Sequence, residues 1–190
     1  GLVLTYQGRL LRTFYHSTCG GLTEHASVMG AFDVEPLHGG VACPFCANSP
    51  FFRWERKLSK ADVAWALKQR GPDARDDVQG MDVVQWTQTG RVGSVRVLGR
   101  ANSVMLKGYD VRAMLGFERI RSTAFALDPT DDGFVLRGRG WGHGVGLCQW
   151  GTAELARRGW PAREILAFYY PKTDLVHIED MPPTPLLAGG

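Results

Sequence analysis

Residues 138–151 read GRGWGHGVGLCQWG, and how this stretch is taken decides the fold. A glycine falls at every second position from Gly138 to Gly146, with Trp141 and His143 inside the run and Cys148, Gln149 and Trp150 just past it. Alternation has the period of a strand, and strands carry this much glycine where another backbone or a ligand must come close. The strict spacing of two fits no register of G-x-G-x-x-G, and no Gly-Lys-Ser/Thr follows, which argues against a phosphate cradle. Two readings remain. One is a tightly packed strand crossing a barrel or sandwich. The other is a cleft wall whose bare backbone bonds a polar ligand, with Trp141 and Trp150 stacked on sugar faces and His143 carrying a proton near neutral pH.

Working outward, AFALDPTDDGFVLRGR reads as a hairpin turning at Asp131-Asp132-Gly133. Before it, MDVVQWTQTGRVGSVRVLGRANSVMLKG alternates and breaks at Thr89-Gly90, a second hairpin with a third strand, and YDVRAMLG is a short helix. WERKLSKADVAWALKQRG reads as a strand, then Ser59 as N-cap of a helix running to about Arg70, stopped by Gly71-Pro72. LVLTYQGRLL holds a hairpin around Gln7-Gly8. After Gly146 the pattern turns helical, from about Cys148 to Arg158 with Gly159 as its stop, and PAREILAFYY is a last helix with Pro161 near N1. The expected fold class is α+β, antiparallel β-hairpins with about four short helices flanking a substrate groove, barrel-like closure being one form open to it. Residues 1–180 read as one domain and 181–190 as a flexible tail.

Composition agrees with such a fold and narrows the function. The 190 residues are 44% hydrophobic and 22% charged, with 24 glycines and 10 prolines, enough for an ordinary core and many turns. A net charge of +3 is too weak to argue for nucleic acid. No apolar run reaches the length of a membrane helix, and no signal peptide is present. Gly1 leads straight into a strand-like segment, as if cut from a longer precursor, so a missing leader says little about location.

Cys19, Cys43, Cys46 and Cys148 are the four cysteines. Cys43-Pro44-Phe45-Cys46 is a C-x-x-C knuckle, the spacing that lets two thiolates grip one tetrahedral metal. His16 and His38 stand as substitute ligands.

Two stretches carry a family resemblance. FYHSTCGGLTE and GRGWGHGVGLCQWGTAELARRGWPAREILAFYYPKTDL resemble the two signatures of the stage II sporulation protein D family, also called SpoIID/LytB, and GRVGSVRVLG and LKGYDVRAMLGFERIRSTAF resemble its middle section. The likeness runs from Gly1 to about Leu175. It implies a cell-wall protein, exported to the periplasm or cell envelope, acting on peptidoglycan glycan strands as a lytic transglycosylase, or else a non-catalytic wall-binding module or amidase enhancer. The family's acid/base glutamate, set before an alanine-rich helix, falls upstream of this chain, as do some of its zinc ligands. Partners implied are the glycan, a cell-wall amidase or the missing N-terminal part.

Non-hydrolytic cleavage needs one carboxylic acid, which protonates the leaving oxygen and then takes a proton from the C6 hydroxyl as the anhydro sugar closes. Glu24, Glu35 and Glu55 are the candidates within the chain, Glu24 being more simply a solvated loop carboxylate or a helix-start charge and Glu55 an exposed strand charge, and none is named as the acid. His16 and Ser17 adjoin on a strand and so point to opposite faces, which argues against a Ser–His nucleophile. The substrate-binding set is His16, Ser17, Thr18, Gly20, Gly21, Trp141, His143, Gln149 and Trp150, with Ser17, His143 and Gln149 bonding sugar hydroxyls or N-acetyl groups. Cys19 and Cys148 occupy the two signatures, where the family commonly has serine. Should the signatures face each other, the sulfurs complete a Cys₄ zinc site. Two disulfides, with Cys19–Cys148 as the long-range bond, or free thiols, remain open.

Overall fold

The computed structural model describes residues 1–30, 33–69 and 77–181. Among these the chain forms eleven strands and four α-helices, an α+β fold. It divides into two compact units, one of Gly1–Ser49 with Gly144–Gly190, the other of Pro50–His143. No helix among the described residues is long and apolar enough to cross a membrane.

The first unit opens with β1 (Leu2–Tyr6) and β2 (Arg9–Leu10), an antiparallel pair turned at Gln7-Gly8, both at positive φ. That is the backbone a two-residue hairpin turn demands. β3 (Tyr15–His16) follows, and the loop beyond it is tied by three 3₁₀ turns, Ala26–Met29, Glu35–Leu37 and Pro44–Cys46.

In the second unit β4 (Arg53–Ser59) runs into α1 (Lys60–Lys68). The Ser59 hydroxyl accepts from Asp62 N–H at 3.0 Å and the Asp62 carboxylate accepts from Ser59 N–H at 2.9 Å, a complete capping box. The C-cap is Gln69, and the expected stop at Arg70-Gly71-Pro72 lies outside the described residues. β5 (Gly80–Trp86), β6 (Val92–Leu98) and β7 (Ser103–Lys107) form one antiparallel sheet in that order, followed by α2 (Gly108–Leu115). β8 (Phe125–Pro129) and β9 (Gly133–Arg139) form the third hairpin, and β4 pairs with the far side of β9. Trp54, Leu58, Phe125 and Leu136 from this sheet, Val95 and Val97 from the other, and Val63 and Val111 from the helices belong to one buried core. Gly138 lies across from Trp54 in register, and a methyl built there would fall on the indole, 2.8 Å from Cη2 and closer to two other ring atoms. The first glycine of the run is therefore bare because an indole occupies its side-chain space.

The chain then returns to the first unit with β10 (Leu147–Cys148), α3 (Gln149–Arg157), α4 (Ala162–Tyr169) and β11 (Asp174–His177). Gly159, at φ 84, stops α3, and Pro161 is the N-cap of α4 rather than its first residue. β11 has no sequence counterpart in the expectation; it pairs with β1 to make the order β11-β1-β2.

Two expectations change. Among the described residues the strands form four small sheets of two or three strands each, and none closes, so the barrel-like form is overturned. A short sheet has too few strands to bring its edges together. The glycine run is a strand only to Arg139: Gly140, Gly142, Gly144 and Gly146 take φ of 77, 118, 88 and 68. Left-handed backbone at every second residue coils the chain instead of extending it, and only glycine does this without steric cost. The expected tail at 181–190 lies outside the described residues beyond Met181.

Candidate functional site

The two signature stretches meet within the first unit. β3 and β10 pair in parallel, Tyr15 with Leu147 and His16 with Cys148. Leu147 N–H donates to Phe14 C=O at 3.0 Å, Trp150 N–H to Ser17 C=O at 3.1 Å and Glu24 N–H to Gly144 C=O at 2.9 Å. His16 Nδ1 lies 3.1 Å from Val145 C=O; a carbonyl only accepts, so Nδ1 carries the proton. Gly146 permits this approach, since a Cβ there would run into Phe14 C=O.

That pairing gathers the four cysteines. Cys19 leaves the loop after β3, Cys43 and Cys46 bracket a 3₁₀ turn, and Cys148 caps α3. All four are buried, their sulfurs lie within 4.8 Å of one another, and no disulfide joins them. Backbone amides point at the sulfurs: Cys19 N–H donates to Cys148 Sγ at 3.2 Å, Gly21 N–H to Cys19 Sγ at 3.3 Å and Gly151 N–H to Cys148 Sγ at 3.4 Å. Amides aimed at sulfur stabilise negative charge on the group, and a cation bound among the four would balance it. An all-sulfur set of four suits a tetrahedral divalent metal. Hydrogen bonds with Cys148, then Cys19 and Cys43, pull the Cys46 thiol well down, while hydrogen bonds with Cys148, Cys43 and Cys46 push Cys19 well up.

Residues beside the sulfurs escaped sequence reasoning. Tyr169 Oη hydrogen-bonds Cys43 Sγ at 3.1 Å, and burial pushes its hydroxyl up. Gly151 would, with a methyl, sit 2.6 Å from Cys43 Sγ and closer to Tyr169 Oη. Tyr170 Oη donates to Phe14 C=O at 2.6 Å and accepts from Leu147 N–H at 3.3 Å, bracing the β3–β10 junction. The only sequence signal was the Tyr169-Tyr170 pair closing α4.

The other site candidates divide between the units. In the first, His16, Thr18 and Gly20 are buried, Thr18 Oγ1 bonding Ser49 Oγ at 2.9 Å. Ser17 and Gly21 are half-buried, and Gln149 and Trp150 are exposed on the first turn of α3. In the second, Trp141 meets Phe51 edge-on with centroids 4.5 Å apart, and the Arg121 guanidinium lies 5.0 Å from its ring centre. His143 is half-buried there. His38 stands apart from the sulfurs, stacked on His25 at 4.7 Å and bonded to Asp33 at 2.8 Å.

Of the glutamates, Glu24 is not the solvated loop carboxylate expected. It is 1% exposed and accepts from His25 N–H at 2.7 Å, because its backbone bridges to Val145 and carries the side chain inside. Glu35 pairs with Lys172, which holds its carboxyl below the usual range, and Glu55 pairs with Arg137 at 3.0 Å.

Comparison with known proteins agrees with the signatures. The model of a family described as a domain of unknown function (DUF8618) matches residues 46–146, over half the chain, and the chain belongs to that family. It is 29% identical over 174 residues to an uncharacterized protein of Brachyspira hyodysenteriae, covering 92% of this chain and 45% of that one. It is 28% identical over 177 residues to stage II sporulation protein D of Bacillus subtilis, covering 92% and 48%, and 24% identical over 223 residues to an amidase enhancer of the same organism, covering 92% and 31%. The resemblance to the SpoIID family is thus supported along nearly the whole chain, which spans about half or less of these relatives' length.

Proposed function

We propose, on the premise of that membership and of the likeness to a sporulation protein D and an amidase enhancer, that this chain is a cell-envelope domain that binds peptidoglycan glycan strands. It serves as the glycan-holding part of a lytic transglycosylase whose acid/base glutamate is supplied from outside this chain. The observation that carries the reading is the convergence of the two signatures on β3 and β10. Ser17, Gly21, Gln149 and Trp150 offer hydroxyl, backbone, amide and indole groups to a sugar from the first unit, while Trp141 and His143 are the second unit's own sugar contacts. His16, Thr18 and Gly20 form the buried support that holds the loop.

We infer that Cys19, Cys43, Cys46 and Cys148 hold one zinc ion. Their common burial, the sulfur donor set and the amides aimed at them support this. Four protein ligands leave no open position, so the ion's part is to tie the Cys43–Cys46 loop to both signatures, not to activate water.

A second reading, a non-catalytic module that binds glycan or enhances an amidase, is favoured by the likeness of 92% of this chain to an amidase enhancer. Mass spectrometry of purified glycan strands incubated with the chain, and with a longer form carrying the upstream glutamate, separates the two. The transglycosylase reading expects co-sedimentation with glycan in both cases and 1,6-anhydro-muramyl ends only with the longer form. Failure to sediment with glycan overturns both; intact strands in every case leave the binding module.

A further inference from the structure

The second unit carries a cleft of about 640 Å³ on the outward face of the β4–β9–β8 sheet, bordered by Trp86 at the end of β5. Its charge is arranged unusually. In the β4–β9 register Glu55 stands opposite Arg137, a favourable pair, and Arg137 also reaches Asp128. One step along the same face, Arg53 stands opposite Arg139. Like charges directly across two strands repel. Both arginines are exposed, both line the cleft, and neither has a carboxylate partner among the described residues. Beside them Gly90, Ala124 and Ala126 leave space, Trp54 and Phe125 lie behind it, Glu55 lines it with its charge answered by Arg137, and the indole of Trp86 is 49% exposed. Space beside the indole admits a ring, the exposed indole stacks on its apolar face, and two exposed guanidiniums on paired strands, Arg53's lying 5.9 Å from the Phe52 ring centre, offer an anion its counter-charge.

We propose that this cleft binds a saccharide bearing a carboxylate, the acid bridging Arg53 and Arg139 and the sugar face lying on Trp86. The inference rests on the wall-binding reading for its ligand class, since muramyl residues stripped of their stem peptide carry such a carboxylate, but not for the site itself. Arginine is suited to the task because its planar fork meets both carboxylate oxygens at once.

The Trp86 indole N–H signal in a nitrogen–proton correlation spectrum reports on the cleft. Titrating the full chain with N-acetylmuramic acid is expected to shift it, and N-acetylglucosamine, which lacks the acid, to leave it in place. The exposed double variant Arg53→Gln/Arg139→Gln should weaken the muramic acid response about tenfold, and raised salt should weaken it in the unmodified chain. Equal shifts with both sugars, or an unchanged titration in the double variant, would overturn the proposal. Sedimentation with purified sacculi whose stem peptides an amidase has removed, which frees the lactyl carboxylates, separates its failure from that of the wall reading. Sacculus binding retained undiminished by the double variant refutes the cleft alone. Absence of sacculus binding in the unmodified chain, with an arginine-dependent Trp86 shift, refutes the wall reading and keeps the cleft.

Discussion

Replacing Gly151 by alanine sets two physical effects against each other. Gly151 is the third residue of α3, and by helix propensity alone alanine is better there by about 0.5–1 kcal/mol. The structure reverses the sign. The new methyl would lie 2.6 Å from Cys43 Sγ and nearer still to the Tyr169 hydroxyl, and both partners are essentially buried, Tyr169 at 1% exposed. Neither can swing into solvent, so the helix or the sulfur cluster must shift. Overpacking costs roughly 1–3 kcal/mol, and two buried groups under 3 Å away put this case at roughly 2–3 kcal/mol, leaving a net loss of about 1–2.5 kcal/mol. For a chain of this length that lowers Tm by roughly 2–10 °C. Thermal unfolding followed by circular dichroism, on Gly151→Ala, Tyr169→Phe and the double variant, measures it. Tyr169→Phe alone loses the bond to Cys43 and should cost about 1 kcal/mol. In the double variant the missing oxygen makes room for the methyl, so the two losses should fall short of additive. A Gly151→Ala chain as stable as the parent, or strictly additive losses, would refute the packing argument.

Elsewhere the expectations are simpler. Ser59→Ala removes the cap of α1 and should cost about 1 kcal/mol in urea unfolding. Asp62, its partner, is held below the usual carboxylate range by the Ser59 N–H first and by Arg119 next. A lowered folded pKa stabilises above the unfolded value near ~3.9 and is lost as pH falls through the folded one, so acid unfolding of Asp62→Asn should show a shallower loss below pH ~4. Burial pushes Tyr170 up to about 12, against a smaller opposing effect of the Leu147 N–H. A raised tyrosine pKa contributes stability present below about 10 and lost as pH rises towards 12, so ultraviolet titration should show one tyrosine step near 12 that Tyr170→Phe removes.

Much of this protein is written locally. The turn at Gln7-Gly8, the cap at Ser59, the break at Thr89-Gly90 and the hairpin at Asp131–Gly133 each depend on residues a few positions apart, and each forms where the sequence puts it. The C-x-x-C knuckle announces paired thiols for the same reason. Other features belong to distance. Cys19 and Cys148 meet only because β3 and β10, two residues each, pair in parallel across most of the chain, and strands so short carry no periodicity to read. β11 closes on β1 from the other end of the sequence, unseen for that reason. Glu24 looked solvated because a carboxylate in a loop usually is, until the bridge to Val145 carried it inside. Glycine spacing, finally, says that side chains are absent but not why. Gly138 yields to an indole, Gly146 to a carbonyl and Gly151 to a sulfur and a hydroxyl, and only the folded neighbours tell these apart.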